Sequence, residues 1–153
     1  MGVSAKTEEY NGTTWVDAND MDAGKRWHSA TGTQTAVIAA GGEGTTTNCQ
    51  EYDGTNWASG GTLNTGRNSH FAFGTQTNTI VMGTSSYGTS SEQYNGTAWT
   101  AVDNHPSGKY LGASCGSAGT GITAGGQRTN SSTYLTDTQK YSAEVTARTV
   151  TDS

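Results

Sequence analysis

Apolar residues in this chain come in short runs bounded by Gly, Asn, Ser and Thr, the longest being Ala36-Val37-Ile38-Ala39-Ala40. No stretch keeps the 3.6-residue period of an amphipathic helix, and Thr-rich positions oppose one. The pattern predicts short strands joined by tight turns. One strand follows a Gly-Lys/Arg pair, as in His28–Thr31 and His70–Phe73. A Gly-Thr-Gln-Thr turn leads into a buried strand, Ala36–Ala40 or Thr79–Met82. That strand ends at Gly41-Gly42, Gly83 or Gly125-Gly126, where a missing Cβ permits a tight exit. A third strand ends in Tyr, an Asn-Gly or Asp-Gly turn follows, and a fourth carries Trp. The dipeptide predicts a type I′ hairpin with both central residues at positive φ.

The elements recur with a period of 42 residues. Tyr10-Asn11-Gly12 with Trp15 returns as Tyr52-Asp53-Gly54 with Trp57, and again as Tyr94-Asn95-Gly96 with Trp99. Gly24-Lys25 returns as Gly66-Arg67 and Gly108-Lys109, and Ile38, Ile80 and Ile122 hold one register. So do Gly41, Gly83 and Gly125. Self-similarity at such a period marks a repeat architecture. The third unit departs: Tyr141 lies 47 residues after Tyr94, with Arg128–Asp137 inserted before it, and neither the Asn-Gly turn nor the Trp follows. Val145–Val150 reads as an altered outer strand, as terminal repeats often have.

Composition narrows the class. Of 153 residues 22 are Gly, 31% are hydrophobic and 14% charged, with a net charge of −5. Ordered recurrence of four Trp and seven Tyr argues for a folded chain rather than a disordered one. The acidic balance and scattered Lys and Arg argue against a nucleic-acid surface. No apolar run approaches a membrane span, and Met1–Lys6 has no signal-peptide character. Lys6 occupies the place where a myristoylation signal wants Ser or Thr.

Candidate chemistry is sparse. Cys49 and Cys115 fall at different repeat positions and read as small buried or half-buried residues. His28 and His70 are repeat equivalents, but Gly112 takes the third place; they read as strand residues facing solvent or a Tyr rather than metal ligands. Asp17–Asp22 is the one acidic cluster, yet Met21 stands at a calcium-ligand position and His28 at the twelfth, so it reads as a solvated turn. Asn11, Asn95 and Asn130 fit the glycosylation pattern, and the first two already serve as turns. No catalytic motif, cofactor cradle or metal motif is present in the sequence, so the chain reads as non-enzymatic, without cofactor. The recurring Tyr and Trp read as packing between neighbouring sheets, their polar tips reaching backbone partners.

Four strands, a di-Gly after the buried one, and Tyr and Trp at fixed offsets resemble the kelch repeat of β-propellers. More narrowly, Gly-Thr-Gln-Thr-Ala-Val-Ile-Ala-Ala-Gly-Gly followed by Glu-Tyr-Asp-Gly-Thr-Asn-Trp resembles repeats of virion structural and tail-fibre-like proteins of marine cyanophages. The resemblance implies one repeat domain over residues 1–153, all-β, built of four-stranded antiparallel sheets in a partial propeller. A half-blade would span residues 7–16, followed by blades at 24–60, 66–102 and an atypical 108–150. Propellers close with about four to eight blades, so three and a half imply two copies closing one propeller, completion by another subunit such as a further virion protein, or a piece of a longer repeat protein, with association the favoured reading. The function implied is structural: a decoration, fibre or tail protein located in the virion. The alternative is a carbohydrate-binding or host-adhesion module using the loops Glu43–Asn48, Ser85–Ser91 and Arg128–Thr136. The aromatics outside the repeating positions, Trp27, Tyr87, Tyr110 and Tyr134, would serve it, with Arg128 beside them.

Overall fold

The computed structural model describes residues 3–84, 88–128 and 134–143 and, for the backbone alone, 148–152. Every element among them is a β-strand. The first two form a hairpin, β1 (Thr7–Tyr10) and β2 (Trp15–Ala18). The first full sheet follows: β3 (Ser29–Thr33), β4 (Ala36–Ala40), β5 (Cys49–Tyr52) and β6 (Trp57–Ser59). The second comprises β7 (Phe71–Thr75), β8 (Asn78–Met82), β9 (Ser91–Tyr94) and β10 (Trp99–Val102). Next come β11 (Lys109–Tyr110), β12 (Ala113–Gly116), β13 (Thr120–Ala124) and β14 (Gln127–Arg128), then β15 (Thr138–Ala143) and β16 (Arg148–Asp152). Strands β12, β13, β15 and β16 make the third full sheet, and β11 pairs with β14 alone. Each sheet is an antiparallel meander in chain order. The outer strand expected at Val145–Val150 lies instead at β16; residues 144–147 fall outside the described residues.

The registers repeat with the sequence. Tyr10 faces Trp15, Tyr52 faces Trp57, Tyr94 faces Trp99, and Tyr141 faces Val150. The connecting turns differ from the type I′ expectation. Four residues, not two, separate Tyr from Trp, and only the glycines have positive φ: Gly12 at 95°, Gly54 at 91° and Gly96 at 92°. The preceding Asn or Asp acts through its side chain. Asn11 Oδ1 accepts from the Thr13 and Thr14 amides at 3.0 Å each, and Asp53 and Asn95 do the same two residues and three residues on. Any short side-chain oxygen satisfies those amides, which is why Asp replaces Asn freely here.

Two apolar clusters glue the sheets face to face. Ile38, Ala40 and Cys49 of the first sheet meet Val81, Tyr94 and Trp99 of the second, with Leu63 from the linker between. Phe71, Phe73, Ile80 and Met82 of the second meet Tyr141 of the third and Ala118 from its β12–β13 turn. The leading strands β3, β7 and β12 lie side by side. Ser29 Oγ donates to the His70 carbonyl at 2.6 Å, and Ser114 Oγ to that of Ala72 at 2.8 Å. A backbone ladder runs beside them: Ser69 N donates to Trp27 O at 2.7 Å and Leu111 N to Ser69 O at 3.0 Å. Trp27, Ser69 and Leu111 stand 42 residues apart, and all three have positive φ (59°, 52° and 57°). The di-Gly exits are fixed by crowding. A Cβ on Gly41 would sit 2.3 Å from the Arg67 carbonyl oxygen, and one on Gly83 would sit 2.5 Å from that of Lys109.

Candidate binding surfaces

Two Tyr–Trp hairpins, Tyr52–Trp57 and Tyr94–Trp99, are clasps between units. Tyr52 Oη donates to Glu9 Oε1 at 2.6 Å, and Tyr94 Oη to Glu51 Oε1 at 2.5 Å, in both cases in the preceding unit. The Tyr52 hydroxyl is pushed up to about 12, chiefly by its bond to Glu9; that of Tyr94 also reaches about 12, first by burial and then by Glu51. Trp57 Nε1 donates to Thr7 Oγ1 at 2.9 Å, and Trp99 Nε1 to Gly61 O at 2.9 Å. The polar tips expected to reach backbone therefore reach mainly side chains, with Trp99 the exception. The carboxylate partners carried no separate signal in the sequence beyond standing next to the motif Tyr.

Packing is not uniform along the chain. Tyr94 and Trp99 are buried, as are Tyr52 and Tyr141, but Tyr10 is 48% exposed and Trp15 66% exposed. Thr7 and Glu9 point at the first sheet, so the alternation of a strand turns Glu8 and Tyr10 the other way, with Asp17 and Trp15 opposite them on β2. This start flank is an aromatic pair ringed by two carboxylates. At the other end of the chain Lys140 occupies the repeat position of Glu51 and is exposed. Among the described residues β1 pairs with β2 alone, and a cavity of about 360 Å³ lies beside the hairpin, lined by Glu9, Tyr10, Trp15, Tyr52 and Trp57 among others.

The Gly-Lys/Arg pair, repeated in sequence without an assigned role, is a carbonyl clamp. Lys25 Nζ donates to Gly41 O and Asn48 O at 3.1 and 3.0 Å. Arg67 Nη1 donates to the equivalent Gly83 O and Ser90 O at 3.2 and 2.9 Å. The cation thereby gives the Gly41 and Gly83 carbonyls a donor, and adds a second one to Asn48 O and Ser90 O, which already accept from the Gly41 and Gly83 amides. Arg67 goes further: Nη2 lies 2.5 Å from Glu92 Oε1 in a fully buried ion pair. The same carboxylate takes the Asn64 and Thr65 amides at 2.7 and 3.0 Å. In the third unit Lys109, wholly buried, lies 3.6 Å from Asp137 Oδ1.

The histidines depart from expectation. They sit just ahead of β3 and β7 rather than within them, and packing covers His70 fully and His28 in part. His70 is buried, neither ring nitrogen has a hydrogen-bond partner, and burial reinforced by Arg67 pushes it down to about 3. His28 is half-buried and lowered by burial and then by Lys25. Both imidazoles fill space beside the clamps as neutral rings. Cys49 is buried as expected, whereas Cys115 is exposed because β12 turns it outward from the third sheet; both are free thiols. Among the described residues no group of three His, Cys, Asp or Glu could hold a metal ion. The acidic turn holds Lys6 against Asp20 at 3.5 Å.

Of the proposed loop aromatics, Tyr110 and Tyr134 come together. Tyr110 pairs with Gln127 across β11 and β14, Gln127 bridges to Tyr134, and Arg128 is the adjacent residue of β14. Tyr134 is 82% exposed. Trp27 stands apart at the start of the ladder, its ring 4.5 Å beneath the Arg26 guanidinium carbon. Tyr87 lies outside the described residues. No described helix is long and apolar enough to cross a membrane.

No family model and no curated protein matches the chain. Solved structures do. One, described as the structure of YjhT, superposes with a TM-score of 0.74 at 16% sequence identity over 90% of this chain. The match takes in 48% of that structure, so this chain spans about half its length. The likeness is one of fold.

Proposed function

We propose that this chain is a non-enzymatic assembly protein, a partial propeller of kelch-like sheets whose flanks join it to a second copy. The observation that carries the reading is the unequal burial of one motif: Tyr94–Trp99 is covered by a neighbouring sheet, while Tyr10–Trp15 lies bare. Bare aromatics grouped with charges are the chemistry of an interface centre. The far flank supplies the complement. Lys140 stands where Glu51 receives the next tyrosine, and the bare tyrosine is accompanied by Glu8 and Asp17. A second copy that seats Tyr10–Trp15 against the Lys140 flank repeats the placement of one sheet on the next that the chain makes within itself, with Lys140 and the carboxylates Glu8 and Asp17 taking the place of the tyrosine–glutamate bond. The matching solved chain is about twice as long, so its fold has room for a second unit of this size. The repeat wording, similar to cyanophage virion proteins, supports a place on a virus particle as a decoration, fibre or tail component.

Mass photometry and sedimentation velocity test this at micromolar concentration. A dimer or larger closed species is expected, reduced to monomer by Tyr10→Ser with Trp15→Ser and weakened by Lys140→Glu. A folded, stable wild-type monomer would overturn the reading.

One observation favours host adhesion as a second reading: Tyr110, Arg128 and Tyr134 meet on one short ribbon with Tyr134 projecting. Glycan-array binding that disappears in Tyr134→Ala would support it, and an unchanged array would remove it.

A further inference from the structure

The three carbonyl clamps are not filled alike, and the difference defines a cavity. In the second unit Glu92 and Arg67 occupy the space between the entry loop and the third strand, and Asn64 closes it with Nδ2 donating to Glu92 Oε2 at 2.9 Å and to Trp99 O at 2.9 Å. In the third, Gln139 fills the place and its Nε2 donates to Ser107 Oγ at 3.1 Å. In the first, the cation is the shorter Lys25 and the carboxylate is replaced by Gln50. The entry loop Asp22–Gly24 does not fold over them, and a cavity of about 510 Å³ remains. That volume falls within the range of small-molecule sites, about 300–1,000 Å³.

Its lining combines Gly24, Gly41, Gly42 and Gly60 with Lys25, Glu43, Asn48, Gln50, Ser59 and Thr62 among others. Gln50 is only 6% exposed, and its Oε1, an acceptor, has no hydrogen-bond partner. A buried acceptor left open is unfavourable, so a donor arriving from a ligand is favoured. Lys25 Nζ uses two of its three protons on Gly41 O and Asn48 O, leaving one for an acceptor. The ligand must therefore both donate and accept. Charge gives no strong preference for an ion: Lys25 is offset by Asp22, and Glu43 is already paired with Arg26.

We infer that this cavity is a binding site for a small neutral polyhydroxy compound, of mono- or disaccharide size. Hydroxyl groups donate to Gln50 Oε1 and accept from Lys25 Nζ. No aromatic ring lines the walls, so hydrogen bonds rather than stacking hold the ligand, and affinity is modest. The site lies apart from both the start flank and the Tyr110–Tyr134 ribbon, so it stands or falls independently of them.

Saturation-transfer NMR on the full chain tests it, with glucose, galactose, mannose, N-acetylglucosamine and lactose as probes and inorganic phosphate and guanidinium as charged controls. Transfer to at least one sugar is expected. Two variants locate it. Lys25→Arg with Gln50→Glu rebuilds the filled arrangement of the second unit and should weaken binding at least tenfold. Ser59→Trp should do the same, because Ser59 is the cross-strand neighbour of Gln50 and a ring there covers the amide. If the double variant fails to fold, Ser59→Trp decides. Absence of sugar transfer, transfer unchanged in Ser59→Trp, or preference for phosphate or guanidinium would overturn the assignment.

Discussion

The hairpins Tyr94–Trp99 and Tyr10–Trp15 are the same local object in two surroundings. Both pair Tyr with Trp across four turn residues, both place Gly at positive φ, and both bring their rings together at a tilt, with centroids 4.9 and 5.4 Å apart. One pair is sealed between sheets; the other is mostly in water. The hairpin is thus encoded locally, by turn chemistry and a cross-strand aromatic pair, while its burial is supplied by whichever unit comes before it. A motif fixed in this way can be displayed at an open end without losing its shape.

Three measurements can break or sharpen that contrast. Truncating the sealed ring should cost most. Trp99→Ala is expected to lower unfolding free energy by about 3–5 kcal/mol, against less than about 0.5 for Trp15→Ala in the dilute monomer, read by urea denaturation. Equal losses would mean that Trp15 is also covered within one chain.

The two histidines extend the comparison to pH. Burial lowers His70 in the folded chain to about 3 from the ordinary histidine value of about 6.5, so between those values the unfolded chain binds the extra proton. Its stabilising share is therefore present above pH 6.5 and is lost as pH falls toward 3, by about 2 kcal/mol at pH 5. Stability profiles from pH 7 to 5 should flatten in His70→Phe. His28→Phe should flatten them less, because its ring is only half-buried. A wild-type profile level over that window would contradict the buried neutral ring.

The smallest effect concerns the turns. Gly12→Ala and Gly96→Ala should each cost about 1 kcal/mol, since both demand left-handed backbone. Gly96→Ala should cost slightly more, because its Cβ would press 3.3 Å from Thr77 Cβ while nothing lies near Gly12. Thermal melts resolve this, and a large disparity would show that the turn is not a purely local device.

Much of the architecture was legible because it rests on short-range rules repeated three times. Gly exits, Gly-Thr-Gln-Thr turns and Tyr–Trp spacing gave the four-stranded units, and Ala36–Ala40 emerged as β4 with the expected ends. What was not legible depends on contacts between units. The role of Lys25 and Arg67 needs carbonyls 16 and 23 residues away, which no local pattern reveals. The type I′ turn was a misreading of Asn-Gly: Gly alone takes positive φ, and Asn works through its carboxamide. The histidines were expected to face solvent or a Tyr, but packing between sheets buries His70 and half-covers His28. The cavity beside Gln50 is legible only by comparing equivalent positions, Gln50 with Glu92 and Lys25 with Arg67, once their proximity is known.

The ladder through Trp27, Ser69 and Leu111 has its own consequence. Its links are made entirely by main-chain atoms, so the side chains at these positions take no part in fastening one unit to the next. An indole, a hydroxymethyl and an isobutyl group occupy the same left-handed site with the same bond. Each non-glycine residue there accepts strain of about 1–2 kcal/mol, which the surrounding sheets absorb. The joint is in effect blind to identity, and the rim it traces can be re-lettered from unit to unit without altering how the units are strung.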